Sequence, residues 1–260
     1  MSLLVCHEVT KRFGALAAVD GFSMTVERGE ILGIGGPNGA GKTTLFDVIT
    51  GVTRASAGRI TLGGQEITGL SADRICQLGL ARTFQLNAAF DGLTLLQNAE
   101  VAAYYGRRRR LPGFTLDRES RTKARAALDL VGLTEGLDRP ARDVPVLDRK
   151  LLMIAGALAT EPDLILLDEP VGGLSPHEID QVIGIVRRIA AGGVTVVLIE
   201  HVMRFLLALS ERVIIMHQGR SLYEGPPEGV AEDAGVVETY LGRGATERLR
   251  AHYADRAAHA

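Results

Sequence analysis

Along this chain the spacing of apolar residues changes twice, and each change marks a different kind of element. In the first eighty or so residues short strand signals alternate with turns. Val19-Asp20-Gly21-Phe22-Ser23-Met24-Thr25-Val26 alternates like a half-buried strand. Residues 58–67 read as a hairpin turning at Gly63-Gly64. Between these, Glu30-Ile31-Leu32-Gly33-Ile34-Gly35 predicts a short buried strand, and residues 44–50 predict a helix closed by Gly51. From about Asn87 to Pro145 the chain becomes rich in Ala, Leu and Arg, and residues 121–131 carry helical spacing. From Pro162 onward strands and helices alternate. Leu164-Ile165-Leu166-Leu167 and Val194-Thr195-Val196-Val197-Leu198-Ile199 are continuous apolar runs, as parallel strands buried on both faces require. Ser175-Pro176-His177-Glu178, between them, is a capping box with proline at the first helical position. The pattern has no internal repeat. The tail beyond Gly244 reads as a frayed helix or a disordered end.

The stretch joining the first buried strand to its helix is Gly36-Pro37-Asn38-Gly39-Ala40-Gly41-Lys42-Thr43-Thr44, a complete G-x-x-x-x-G-K-[ST] loop. A strand, a glycine-rich turn and a helix N-terminus in that order aim several backbone N–H groups at one point. The helix dipole adds positive potential there, which suits a polyphosphate. Lys42 is placed to reach the β- and γ-phosphates of a nucleoside triphosphate, and the Thr43 hydroxyl to ligate magnesium.

Three further elements turn a phosphate-binding loop into a candidate ATPase. The apolar run 164–167 ends in Asp168-Glu169-Pro170. A buried strand delivering Asp168 at its C-terminal end suits magnesium, directly or through water. Glu169 is then placed to polarise an attacking water. The next apolar run ends in Glu200-His201, where the imidazole serves either as a structural hydrogen-bonder or as a contact to the γ-phosphate. Arg82-Thr83-Phe84-Gln85 precedes the helical region, and Gln85 at that junction is a candidate to touch magnesium or the water. No N-K-x-D base-reading motif is present, which argues against a signalling GTPase.

Composition adds limits rather than detail. At 260 residues and 46% hydrophobic content the chain is long enough for one large domain or a core with an insertion. A net charge of -2 gives no overall electrostatic case for nucleic acid. Cys6 and Cys76 form neither a disulfide framework nor a metal spacing. No apolar run approaches the roughly 20 residues that span a bilayer, and the N-terminus lacks the basic start of a signal peptide. A cytoplasmic protein is expected, reaching a membrane only through a partner. Arg107-Arg108-Arg109-Arg110 reads as a solvated loop or as a contact for lipid headgroups or an acidic surface.

Together these motifs resemble the nucleotide-binding domain of ATP-binding cassette transporters, from about Leu4 to Gly242. Ala81-Arg82-Thr83-Phe84-Gln85, Ala157-Leu158-Ala159-Thr160-Glu161-Pro162, Leu198-Ile199-Glu200-His201 and Tyr240-Leu241-Gly242 are similar to the ATPase subunits of branched-chain amino-acid importers. The resemblance implies an α/β P-loop NTPase (RecA-like) core with a mostly parallel sheet, an antiparallel β subdomain and an inserted helical subdomain. The implied division is 1–86 for the β subdomain and first core segment, 87–156 for the helical subdomain, 157–228 for the second core segment and 229–260 for a C-terminal helical extension. It further implies ATP and Mg2+ as ligands, and Phe13 as the aromatic that stacks on adenine unless it is a buried strand residue. Gly172-Gly173-Leu174-Ser175 would fall at the loop crossing a dimer interface, with Ser175 where the family often has Asp. The implied partners are a second cassette ATPase, transmembrane permeases and, indirectly, a solute-binding protein. The implied location is the inner face of the cell membrane, with no nucleic acid.

One family motif is altered. The signature L-S-G-G-Q aligns with Val144-Pro145-Val146-Leu147-Asp148. Pro145 removes both a hydroxyl and an amide donor, and Leu147 stands where glycine permits close backbone approach. Asp148 is expected to cap a helix beginning at Arg149-Lys150, with either cation compensating its charge. Gly156 stands where the family usually has arginine. In a cassette dimer this defect would weaken the site on the partner's phosphate loop while leaving this chain's own site able to work. The leading reading is therefore an ATPase motor for solute import. The alternatives are an ATP-binding regulatory or scaffold subunit with little hydrolysis, or a cassette ATPase acting away from membranes.

Overall fold

The computed structural model describes residues 1–84, 89–107 and 117–241 of the chain. Two long antiparallel strands open it, β1 (Ser2–Phe13) and β2 (Leu16–Glu27). They pair with β4 (Ala57–Leu62) and β5 (Gln65–Glu66) in a four-stranded sheet of order β2-β1-β4-β5. The β4–β5 turn falls at Gly63-Gly64, both at positive φ, as a two-residue hairpin loop demands. Between these strands the chain leaves for a second sheet through β3 (Ile31–Gly35) and helix α1 (Lys42–Ile49). After helix α2 (Ala72–Gln77) it returns there as β6 (Leu80–Arg82).

The second sheet has six strands in the order β10-β9-β3-β8-β7-β6. Its later members are β7 (Leu164–Asp168), β8 (Thr195–Ile199), β9 (Arg212–His217) and β10 (Arg220–Gly225). The pairs β6–β7, β7–β8, β8–β3 and β3–β9 are parallel, and only β10 runs antiparallel to its neighbour. The continuous apolar runs follow from this position. Leu164 and Leu166 face the antiparallel sheet together with Leu4, Phe22 and Phe46, while Ile165 and Leu167 face a helical layer.

That helical layer consists of α3 (Leu95–Tyr105), α4 (Arg118–Val131) and α5 (Val146–Ala159), with α6 (Pro176–Ala191) and α7 (Met203–Leu209) alongside. Thr94 and Gln97 form a capping box at the start of α3, and Asp117 caps α4, which ends at Gly132. The box expected at Ser175 is formed: Ser175 accepts from the Glu178 amide and donates its own amide to the Glu178 carboxylate. Helix α5 begins three residues earlier than expected. Its N-cap is Pro145, so Asp148 lies within the first turn and does not cap it. Arg107, the first of the four consecutive arginines, donates to the Glu161 carbonyl at 2.8 Å and pairs with Asp163. Arg108, Arg109, Arg110 and the tail beyond Gly244 lie outside the described residues. No described helix is long and apolar enough to cross a membrane.

Candidate active site

Parallel pairing brings the sequence-distant motifs together. β3, β8 and β7 are successive neighbours, with Ile34 opposite Ile199 and Ile199 opposite Asp168. The phosphate loop, Glu200-His201 and Asp168-Glu169 therefore leave the same edge of the sheet, beyond the C-terminal strand ends where open α/β sheets bind ligands.

The loop itself is held open by backbone contacts that only glycine permits at two positions. Gly36 has φ +139°, and a Cβ there would stand 2.2 Å from the Met216 carbonyl oxygen. Gly41 has φ +102°, and its Cβ would stand 2.1 Å from the Ala18 carbonyl oxygen. Lys42 opens α1 and folds back over the loop, donating to the Gly36 carbonyl at 2.7 Å and the Pro37 carbonyl at 3.0 Å. Burial pushes the Lys42 ammonium below the ordinary lysine range, while the carboxylates of Glu169, Asp168 and Glu200 pull it back up. Cation and carboxylates thus share one low-dielectric site. The Thr43 side chain is exposed beside it.

Asp168 is buried at 3% exposure. Burial raises its carboxyl above the ordinary aspartate range, and Arg82 opposes that shift. Arg82 takes one carboxylate oxygen at 2.7 Å, and the other, Oδ1, is buried with no hydrogen-bond partner among the described residues. An orphaned hard oxygen on a buried carboxylate suits a magnesium ion. No cluster of three His, Cys, Asp or Glu side chains that could hold a metal occurs among the described residues. Gln85, which with Thr43 and Asp168 is expected to contact the metal, lies outside the described residues.

Glu169 adopts φ +48°, in the left-handed region that a non-glycine residue seldom occupies. Its backbone is pinned on both sides, the N–H donating to the Ile199 carbonyl at 3.0 Å and its own carbonyl accepting from Lys150 Nζ at 3.0 Å. Its side chain lines the same cleft as the phosphate loop, a cavity of about 1120 Å³ that also includes Phe13. Phe13 is 53% exposed, which removes the buried-strand alternative, and Lys11 Nζ sits 4.9 Å from its ring centroid. His201 Nδ1 lies 3.9 Å from a Glu169 carboxylate oxygen, with its side chain half exposed.

Three residues matter here in ways the sequence did not disclose. Glu200 is fully buried and accepts from the amides of Val171, His201 and Val202, so it ties the loop after Glu169 to the loop carrying His201. Burial raises its carboxyl, and those amides partly offset the shift. Lys150 and Arg82 act on Glu169 and Asp168 as described. Arg82, Lys150 and Glu200 were visible only as polar residues beside apolar runs, and the partners Asp168, Glu169 and Val171 that give them their roles are distant in sequence.

The altered signature is also placed. Pro145 supplies no side-chain cap to α5, and Val146 next to it is 49% exposed. Of the two cations expected to compensate, Arg149 pairs with Asp91 and Lys150 donates to the Glu169 backbone carbonyl.

Residues 19–172 match the family model described as ABC transporter. The chain is 35% identical over 249 residues to the high-affinity branched-chain amino acid transport ATP-binding protein BraF of Pseudomonas aeruginosa, covering 92% of this chain and 98% of that one. It is 34% identical over 251 residues to LivG of Escherichia coli K12, with the same coverage on both sides. Among solved structures, a nucleotide-free ATP-binding cassette from an ABC transporter superposes with a TM-score of 0.86 at 30% identity, over 94% of this chain and all of that one. An ADP-bound ATP-binding cassette superposes with a TM-score of 0.83 at 30% identity, with the same coverage. The chain belongs to the ABC transporter family and is one of its ATP-binding ATPase subunits.

Proposed function

We propose that this subunit powers an importer for branched-chain amino acids or a related small polar solute, working as one of two cassettes beneath a pair of permeases on the inner face of the cell membrane. The observation that carries the catalytic part is Glu169, whose backbone is pinned at positive φ while its side chain lines the cleft of the phosphate loop. In this reading Glu169 accepts a proton from the attacking water, which adds to the γ-phosphorus as the bond to the ADP oxygen breaks. Lys42 exchanges its loop carbonyls for phosphate oxygens and offsets charge on the leaving group. The amides of residues 36–44 hold the phosphates, Phe13 carries the adenine, and His201 hydrogen-bonds the γ-phosphate. Asp168, Thr43 and Gln85 would hold magnesium, which would supply positive charge against that developing on the phosphates.

The substrate class comes from the names of the BraF and LivG relatives, which match nearly end to end. Permease docking has support on the surface. An apolar groove of about 370 Å³ lies between α3, α5 and the end of β6, and Val52, Phe84 and Phe90 line it with about half their surface exposed. Exposed aromatics in an apolar groove suit a short permease helix. A second reading, a nucleotide-binding subunit with little turnover of its own, is favoured by one feature, the capless proline start of α5. Uptake of radiolabelled leucine in cells lacking this gene separates the readings. The wild-type chain restores uptake, and Glu169→Gln, which keeps ATP binding, does not. Equal restoration by both would refute the motor role, and restoration by neither would refute the assigned substrate class.

A further inference from the structure

The end of β6 carries a buried cation that the hydrolytic reading does not use. The Arg82 side chain is 5% exposed and spans two carboxylates. Nη1 donates to Asp47 Oδ1 on α1 at 2.6 Å, and Nη2 donates to Asp168 Oδ2 at 2.7 Å. The guanidinium carbon lies 5.6 Å from the Phe46 ring centroid and 5.1 Å from that of Phe84, so aromatic rings flank it. The adjoining residue completes the frame. Thr83 Oγ1 accepts from the Asp168 amide at 3.1 Å, and the Thr83 amide donates to the Leu166 carbonyl at 2.9 Å. Both the backbone and one carboxylate oxygen of Asp168 are therefore fixed from β6.

We propose that Arg82 is a positioning residue for the metal site: it occupies Asp168 Oδ2, presents Oδ1 alone to magnesium, and fixes the phosphate-loop helix relative to that oxygen through Asp47. The planar fork of a guanidinium suits this role because its two arms hold two carboxylates at a set separation, which a lysine ammonium does not. A buried ion triad is weak support for stability alone, since desolvation offsets much of the attraction. Magnesium, by contrast, demands near-ideal ligand geometry and is sensitive to the hydrogen bonds that orient its ligands.

The inference rests on Asp168 as a magnesium-holding carboxylate, and the test separates the two. A fluorescent ATP analogue is bound to the full chain in EDTA and then across a magnesium titration, for wild type, Arg82→Met, Arg82→Lys and Asp47→Asn, each checked for cooperative melting. Folded Arg82→Met is expected to keep its metal-free affinity within about twofold, while its half-saturating magnesium concentration rises on the order of tenfold. Arg82→Lys shows a smaller rise, and Asp47→Asn, which retains the Asp168 arm, a smaller one again. An unchanged or lowered half-saturation in Arg82→Met overturns the proposal, because Arg82 would then only brace the fold or repel the cation. If Arg82→Met does not fold, an unchanged value in Asp47→Asn overturns it. Magnesium-independent binding by the wild type would refute the metal reading of Asp168 itself.

Discussion

Lys42 shows how much of this site is set by single side chains competing for one partner. Without nucleotide its ammonium is satisfied by the Gly36 and Pro37 carbonyls, and burial lowers its affinity for a proton. The sign is that of a depressed base. The charge is present at neutral pH and is lost as pH rises through a value below the usual 10.5, earlier than for a surface lysine. ATP affinity is accordingly expected to weaken on the alkaline side before the ordinary lysine range. In Lys42→Ala affinity should be at least about tenfold lower at neutral pH, as loss of a charged hydrogen bond implies, and should lack that alkaline fall. A fluorescent-nucleotide titration repeated across pH reads both effects. Residue roles are unevenly legible in the sequence. Asp168 and Glu169 stand out because they close a run of four apolar residues, which sets two acids at the mouth of a buried strand where a cation or a water must meet them. Arg82 and Lys150 do not, because their partners Asp168 and Glu169 are distant along the chain and meet them only after β6 and α5 pack against β7.

At the scale of elements, turns and caps decide where the functional groups sit. The loop between β3 and α1 depends on Gly41, whose missing Cβ leaves room for the Ala18 carbonyl of the antiparallel sheet. Gly41→Ala is expected to shift the loop at a cost of about 1–3 kcal/mol, lowering nucleotide affinity while the chain stays folded. Denaturant unfolding beside nucleotide titration distinguishes that outcome from general collapse. The Gly63-Gly64 hairpin, the Ser175 box and the buried strands β3, β7 and β8 can be read from local sequence because local chemistry fixes each. The start of α5 cannot. Asp148 is a capping residue by type, yet the helix begins at Val146 because Pro145 has a fixed φ suited to the position before it. The long β1 and β2 are legible only as fragments, since irregular pairing between Ser2 and Arg12 breaks their alternation.

At the scale of the whole molecule, strand order gathers the site. Nothing local states that β3 lies between β8 and β9. That order sends the phosphate loop, Asp168-Glu169 and His201 off one edge and leaves the altered α5 start on the helical layer. In the proposed dimer of cassettes the start of α5 would face the nucleotide of the other subunit, and its missing hydroxyl and amide donors would then limit the partner's site. The double variant Pro145→Ser, Leu147→Gly is expected to raise steady-state turnover of the chain by about 10²-fold, the scale of one restored transition-state donor. A phosphate-release assay on both proteins measures it, and no increase with any partner cassette would show the altered signature to be irrelevant.

If Glu169 activates water for attack on ATP held by the phosphate loop, its loss must abolish turnover and spare binding. The most direct measurement is magnesium-dependent phosphate release by the wild-type chain beside Glu169→Gln, with ATP affinity determined for both. Equal affinity is expected, with turnover lower by about 10²–10⁴-fold in the variant, the usual range for removing a general base. Equal turnover would contradict it and remove Glu169 from the chemistry.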